Sequence, residues 1–197
     1  FGIEFAQNPL ILFTLLLLPL LQLLLHSSWT LSFKRAAIFI LLAGFIGFFA
    51  EYIGIKTGTF FGGAYVYDPG FFAVFAVPLV VILYWAVFTY LGYSVVNSFL
   101  YWLNLNKPSI RTGNWRLIPV LCLLDGLSVT AIDLFMDPIQ VLNGAWTWLD
   151  GGPYFGVPLG NFVGWFIVAV CITGIFRLFE YFKPVHVNGI AKDLHLM

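Results

Sequence analysis

Four carboxyl side chains, Glu51, Asp125, Asp133 and Asp137, fall inside long apolar runs of a 197-residue chain. Placing such a group mid-bilayer costs roughly 2.5–3.5 kcal/mol on insertion scales, so an acid kept there is expected to face a bundle interior and to serve a function. Apolar surroundings favour the neutral form of a carboxyl, which makes each of the four a candidate proton donor. Spacing sharpens the choice. Gly44, Gly47, Glu51, Gly54 and Gly58 follow a three-four rhythm, which puts Glu51 on a stripe of glycines of the kind that lets helix backbones approach. Gly126, Thr130, Asp133 and Asp137 form a matching stripe later in the chain. Asp125 is expected about 12 Å deeper than Asp133 and turned about 80° from it. Apart from Lys56, no basic residue is expected at the depth of these acids.

The elements that must position them follow from composition. The chain is 61% hydrophobic, 19% aromatic and 9% charged, against about 25% charged for soluble domains, and its mean hydropathy is +0.96. An aqueous globular protein is thereby excluded. Zero formal net charge excludes a general basic surface for nucleic acid. Cys122 and Cys171 sit in apolar runs and His26, His186 and His195 are scattered, so neither a disulfide framework nor a metal site is expected. At roughly 20 apolar residues per span, five spans are expected: Pro9 to His26, Ala36 to Gly54, Val77 to Leu103, Arg116 to Pro138 and Asn161 to Phe182. The first apolar run is too long for the core of a signal peptide. Because the chain begins at Phe1 rather than Met, further residues ahead of it are expected. Lys34, Arg35, Lys107, Arg111, Arg116, Arg177, Lys183 and Lys192 fall on one side of these spans and only Lys56 on the other. The positive-inside rule then puts the C-terminus in the cytoplasm and the N-terminus outside.

The segment from Gly44 to Trp85 resembles that from Gly126 to Trp165. Gly44 precedes Glu51 by seven residues as Gly126 precedes Asp133; Gly63-Ala64-Tyr65-Val66-Tyr67 answers Gly144-Ala145-Trp146-Thr147-Trp148; and Val77-Pro78 before Trp85 answers Val157-Pro158 before Trp165. Each copy reads as a rising helix, an aromatic loop and a returning helix. The expected fold is an all-α integral membrane protein of about five transmembrane helices, with two parallel repeats related by a pseudo-two-fold axis along the membrane normal. It comprises a leading helix (9–35), repeat one (36–103), repeat two (116–182) and a cytoplasmic tail (183–197). The loops Phe60 to Phe75 and Ile139 to Gly160 are aromatic and nearly uncharged, and read either as lids over the bundle mouth or as interfacial anchors. Asp68 and Asp150 read as solvated turn residues.

An apolar pocket with neutral carboxyls and aromatic rings can protonate an unactivated carbon–carbon double bond and hold the cation against ring faces. No cofactor is needed. Glu51, Asp133 and Asp137 are the candidate catalytic residues, although Glu51 and Asp133 could instead be structural hydrogen-bonding groups and Asp137, next to Pro138, could be interfacial. The runs Glu51-Tyr52-Ile53-Gly54, Thr57-Gly58, Phe61-Gly62, Tyr65-Val66-Tyr67, Val77-Pro78 and Trp85, and later Asp133, Asp137-Pro138, Trp146-Thr147-Trp148, Tyr154, Gly156-Val157-Pro158, Asn161 and Gly164-Trp165, resemble the carotenoid hydratase family. That family includes the bisanhydrobacterioruberin hydratases of archaea and the carotenoid 1,2-hydratases of bacteria. The resemblance spans roughly Gly44 to Phe182 and implies a multi-pass membrane hydro-lyase that adds water to the terminal isoprenoid double bond of an acyclic carotenoid. Tyr65, Tyr67, Trp85, Trp146, Trp148, Asn161 and Trp165, with Asp125, are then the expected substrate-binding residues, although the tryptophans also suit packing or a membrane belt. The expected partners are the carotenoid, water and membrane lipid. A carotenoid cyclase using the same acid and a non-catalytic carotenoid- or quinone-binding subunit are the alternatives. A prenyltransferase lacks its second acidic pair here, and no channel-like ring of charge is present.

Overall fold

The computed structural model describes residues 9–103 and 115–184, the first eight of them by backbone only. Lys107, Arg111, Lys192, His186, His195 and the tail beyond residue 184 therefore lie outside the described residues. Five long helices dominate: α1 (Pro9–Leu31), α2 (Phe33–Thr57), α3 (Leu79–Trp102), α4 (Ile118–Leu142) and α5 (Leu159–Phe182). Four segments, Phe33–Thr57, Leu79–Trp102, Trp115–Leu142 and Leu159–Phe182, are long and apolar enough to cross a membrane, as a multi-pass membrane protein requires. Large apolar side chains point outward along them, with Leu41, Phe135 and Phe182 more than two-thirds exposed. Hydrocarbon, not water, suits such a surface.

Helices α1, α2 and α4 run past their expected C-terminal ends, whereas α3 is shorter than expected at both ends and α5 stops at Phe182 as expected. Only Ser32, at φ 76°, separates α1 from α2. Pro138 was expected to close the fourth span, but α4 continues through it to Leu142. A proline removes one rung of the helical ladder, and a membrane helix tolerates this when neighbouring groups re-satisfy the backbone. Asp137 consequently lies within the helix and is buried.

The expectation of an all-helical chain is corrected at the loops, which carry short strands: β1 (Tyr65–Tyr67), β2 (Ala73–Val74), β3 (Val77–Pro78) and β4 (Trp146–Trp148). The two aromatic loops meet, because β1 pairs antiparallel with β4, placing Tyr65 opposite Trp148, Val66 opposite Thr147 and Tyr67 opposite Trp146. Backbone hydrogen bonds from Asp68 to Ala145 (2.9 Å) and from Leu149 to Ala64 (2.8 Å) continue the ribbon at its two ends. Strands β2 and β3 form a tight hairpin around Phe75 and Ala76 (φ 50° and 69°), and a bridge between Tyr154 and Val157 encloses Phe155 and Gly156 (φ 51° and 86°) in the same way. Two successive positive φ values are the type I′ signature, whose twist matches that of flanking strands.

Small residues set how closely the elements pack. Below the ribbon the indoles of Trp85 and Trp165 stack with ring centroids 3.8 Å apart and planes 14° from parallel. Trp85 fits because Gly47 presents no side chain: a β-carbon there would lie 2.3 Å from Trp85 Cγ. At Gly174 the nearest atom to such a carbon is Cys122 Sγ, 3.6 Å away, which is ordinary contact. Gly47→Ala is therefore expected to cost about 1–3 kcal/mol through overpacking, whereas Gly174→Ala should gain about 0.5–1 kcal/mol from helix propensity. Unfolding of the detergent-solubilised variants, compared with the parent, measures both.

Candidate active site

Glu51, on the last turns of α2, is fully enclosed. Its Oε2 accepts hydrogen bonds from the hydroxyls of Tyr65 and Tyr67, each at 2.7 Å, and its Oε1 accepts one from Trp85 Nε1 at 2.9 Å. The alternation of β1 would send Tyr65 and Tyr67 to the same side, and both reach the same carboxyl oxygen. Desolvation, and then the neighbouring Glu51 carboxyl, push both phenols above the ordinary tyrosine range.

Asp133 and Asp137 lie one turn apart on the inner face of α4, both buried. A single side-chain amide holds them together. Asn161 Nδ2, in the first turn of α5, donates to Asp133 Oδ2 at 2.9 Å and to Asp137 Oδ2 at 2.5 Å. Trp146 Nε1 donates to the other oxygen of Asp137. The amide thus turns its nitrogen, rather than its carbonyl, toward both acids.

These residues surround one cavity of about 30 Å³, room for about one or two water molecules. The structure brings to it Glu51, Asp133, Asp137, Tyr65, Tyr67, Trp146, Trp148, Asn161 and Trp165 from the sequence-predicted set. Trp85 stands behind Glu51 and touches it through the indole N–H. Val81, Tyr84, Phe88 and Met136 complete the wall, and spacing gave no reason to single them out. Tyr65 and Tyr67 also border a second hollow of about 270 Å³ under the β2–β3 hairpin.

Asp125 is not part of this cavity. It was expected among the substrate-binding residues with no cation at its depth, yet Arg177 of α5 reaches it with two contacts, Nε to Oδ2 at 2.6 Å and Nη2 to Oδ1 at 2.7 Å. Arg177 also donates to Asn97 at 3.2 Å and lies 4.6 Å from the centre of the Tyr93 ring. Tyr93 donates to Glu180 at 2.6 Å, and Glu180 faces Arg35 at 3.4 Å. Arg177 thus belongs to a buried polar network rather than to the flanking basic residues that set orientation. A signal was present: an arginine inside an apolar span must find an acid, and the carboxyl within the neighbouring span was available.

A comparison with known protein families matches residues 10–196 to the family described as "Carotenoid biosynthesis protein". No curated protein and no solved structure matches the chain.

Two predictions follow from this geometry. Arg177→Met leaves Asp125 buried and unpaired, which should cost about 3–5 kcal/mol; removing the charge as well, in Asp125→Asn/Arg177→Met, should restore much of it in the same unfolding assay. The second concerns alkaline pH. The phenols ionise less readily folded than unfolded, so the unfolded state binds fewer protons above about pH 10 and stability falls as pH rises past that point. Tyr67→Phe should flatten that fall, as read from melting temperatures across the alkaline range.

Proposed function

The chain belongs to the carotenoid biosynthesis protein family, and from that premise we propose that it is a hydratase acting on the terminal isoprenoid double bond of an acyclic carotenoid. The observation that carries this reading is the convergence of three carboxyls and several aromatic rings on one water-sized cavity. The chemistry needs a proton, a shelter for a cation, and one water.

The three carboxyls differ in their surroundings, and that divides the labour. Glu51 already accepts three hydrogen bonds, so it is held in one place as the acceptor on which three donor dipoles converge. Asp133 and Asp137 share one Asn161 amide. Two acids held so close ionise together only against mutual repulsion, so that the pair retains a proton between them. Asp133 is assigned as donor. Its proton adds to the less substituted alkene carbon, the π electrons form the new C–H bond, and a tertiary cation is left at the neighbouring carbon. Water attacks that carbon, and the resulting oxonium returns its proton to the Asp133–Asp137 pair. The sum is alkene plus water to tertiary alcohol, with the acid regenerated and no cofactor consumed. The faces of Trp165, Tyr65 and Tyr67 attract the transient cation through their quadrupoles.

The two-half arrangement belongs to the same reading. It is supported by the register that sets Val66 against Thr147, by the paired end hydrogen bonds of Ala64 and Ala145, by the matching type I′ turns and by the Trp85–Trp165 stack. Glu51 and Asp133 are counterparts in that scheme. The cytoplasmic C-terminus is supported by Lys34, Arg35 and Lys183 lying opposite Lys56.

A host that makes an acyclic carotenoid, given this chain, should accumulate pigment heavier by one water per modified end. A cyclase would leave the mass unchanged, and a pigment-binding subunit would leave the pigment itself unchanged. Asp133→Asn should lower the yield of hydrated product by about 10²-fold or more, the usual worth of a positioned general acid, and Glu51→Gln should lower it as well. Full activity in both variants would remove the acids from the reaction.

A further inference from the structure

Around the acid cavity Trp85 donates its indole N–H to Glu51 and Trp146 its own to Asp137. Trp148 makes no such bond. Trp148 is 6% exposed, its ring lines the cavity, and its Nε1 faces the Asp137 carboxyl without closing to a hydrogen bond on it or on any other described residue. A buried donor without an acceptor is costly and uncommon in a native fold, and an indole can only donate. The gap between that N–H and the Asp137 carboxyl calls for an oxygen lone pair, and a water seated there fills it. An acyclic isoprenoid end is a hydrocarbon and has none. The cavity holds about one or two waters, and Asp133 and Asp137 line it together with Trp148.

We propose that Trp148 Nε1 binds the oxygen of the water that captures the cation, an assignment that rests on the hydratase reading above. The water accepts one hydrogen bond from the indole and gives its hydrogens to the carboxyl oxygens of the aspartate pair. That leaves one lone pair free to form the C–O bond. As it forms, a water proton passes to the pair, which had given one up in the first step. The tertiary hydroxyl of the product then takes over the same indole donor. An N–H placed for water is of no use to a cyclase, whose cation must be captured by carbon.

Trp148→Phe keeps an aromatic wall and deletes the donor. The assay is carried out with the purified full chain in heavy water, measuring hydrated carotenoid and deuterium in recovered, unhydrated carotenoid. Without a held water the cation more often loses a proton and returns to alkene, so deuterium still enters the substrate. The expected result is a fall in hydration of about tenfold or more, with deuterium entry per hydration event rising. Hydration at the parental rate in Trp148→Phe would overturn the assignment to Trp148 while leaving the hydratase reading intact. Loss of both hydration and deuterium entry in a variant that melts like the parent would also overturn it, since the indole would then act on the acid. If the parent adds no water to any acyclic carotenoid, the hydratase reading fails first and takes the water site with it. Should Trp148→Phe not fold, a crystal structure of the parent decides: an ordered water about 3 Å from Nε1 supports the site, and a protein acceptor or a dry contact there overturns it.

Discussion

A carboxyl enclosed in an apolar bundle has to draw its hydrogen-bond donors from the protein itself, and Glu51 draws three. Two come from β1 and one from α3, so one acid ties the loop ribbon to the helices beneath it. The same requirement recurs across the cavity, where Asn161 and Trp146 bring α5 and β4 to the aspartates of α4. The ribbon is therefore more than a covering. Its side chains supply donors to two of the three acids, Glu51 and Asp137, and Asn161 of α5 supplies the third.

A second polar system, built on Asp125 and Arg177, solves the same problem differently. There the acid is met by a cation, and the guanidinium is engaged by Asp125, Asn97 and the face of Tyr93. Charge is balanced and each group is matched in shape. Around Glu51, Asp133 and Asp137 the donors are neutral indoles, phenols and an amide. A neutral donor orders a carboxyl without fixing it as an ion pair, which leaves protons free to move. That contrast distinguishes the two sets of acids more sharply than depth in the span does.

What could be read from the residues followed local periodicity. The four apolar spans were legible from hydropathy, and Glu51 and Asp133 from their glycine-lined stripes. Pro138 misled, because a proline that would end a helix in water is carried within α4. Asn161 attracts notice only through its place after Val157-Pro158, and its partners lie 24 and 28 residues away. The Arg177–Asp125 pair spans 52 residues. Such partnerships depend on how α4 and α5 pack, which no window of residues encodes. The Tyr65-Val66-Tyr67 and Trp146-Thr147-Trp148 motifs were visible as twins, but that they clasp each other is a property of two loops meeting in space.

That clasp constrains how such a chain can vary. Tyr65 rests against Trp148, with ring centroids 4.7 Å apart, and Tyr67 against Trp146, 5.7 Å apart, each ring also belonging to the wall of the cavity. A larger or smaller ring on one strand has to be compensated by its opposite number on the other, since cross-strand neighbours stabilise a sheet as pairs. Transplanting one of the loops alone into another member of the family would mismatch the seam, whereas moving both together would carry the complete roof.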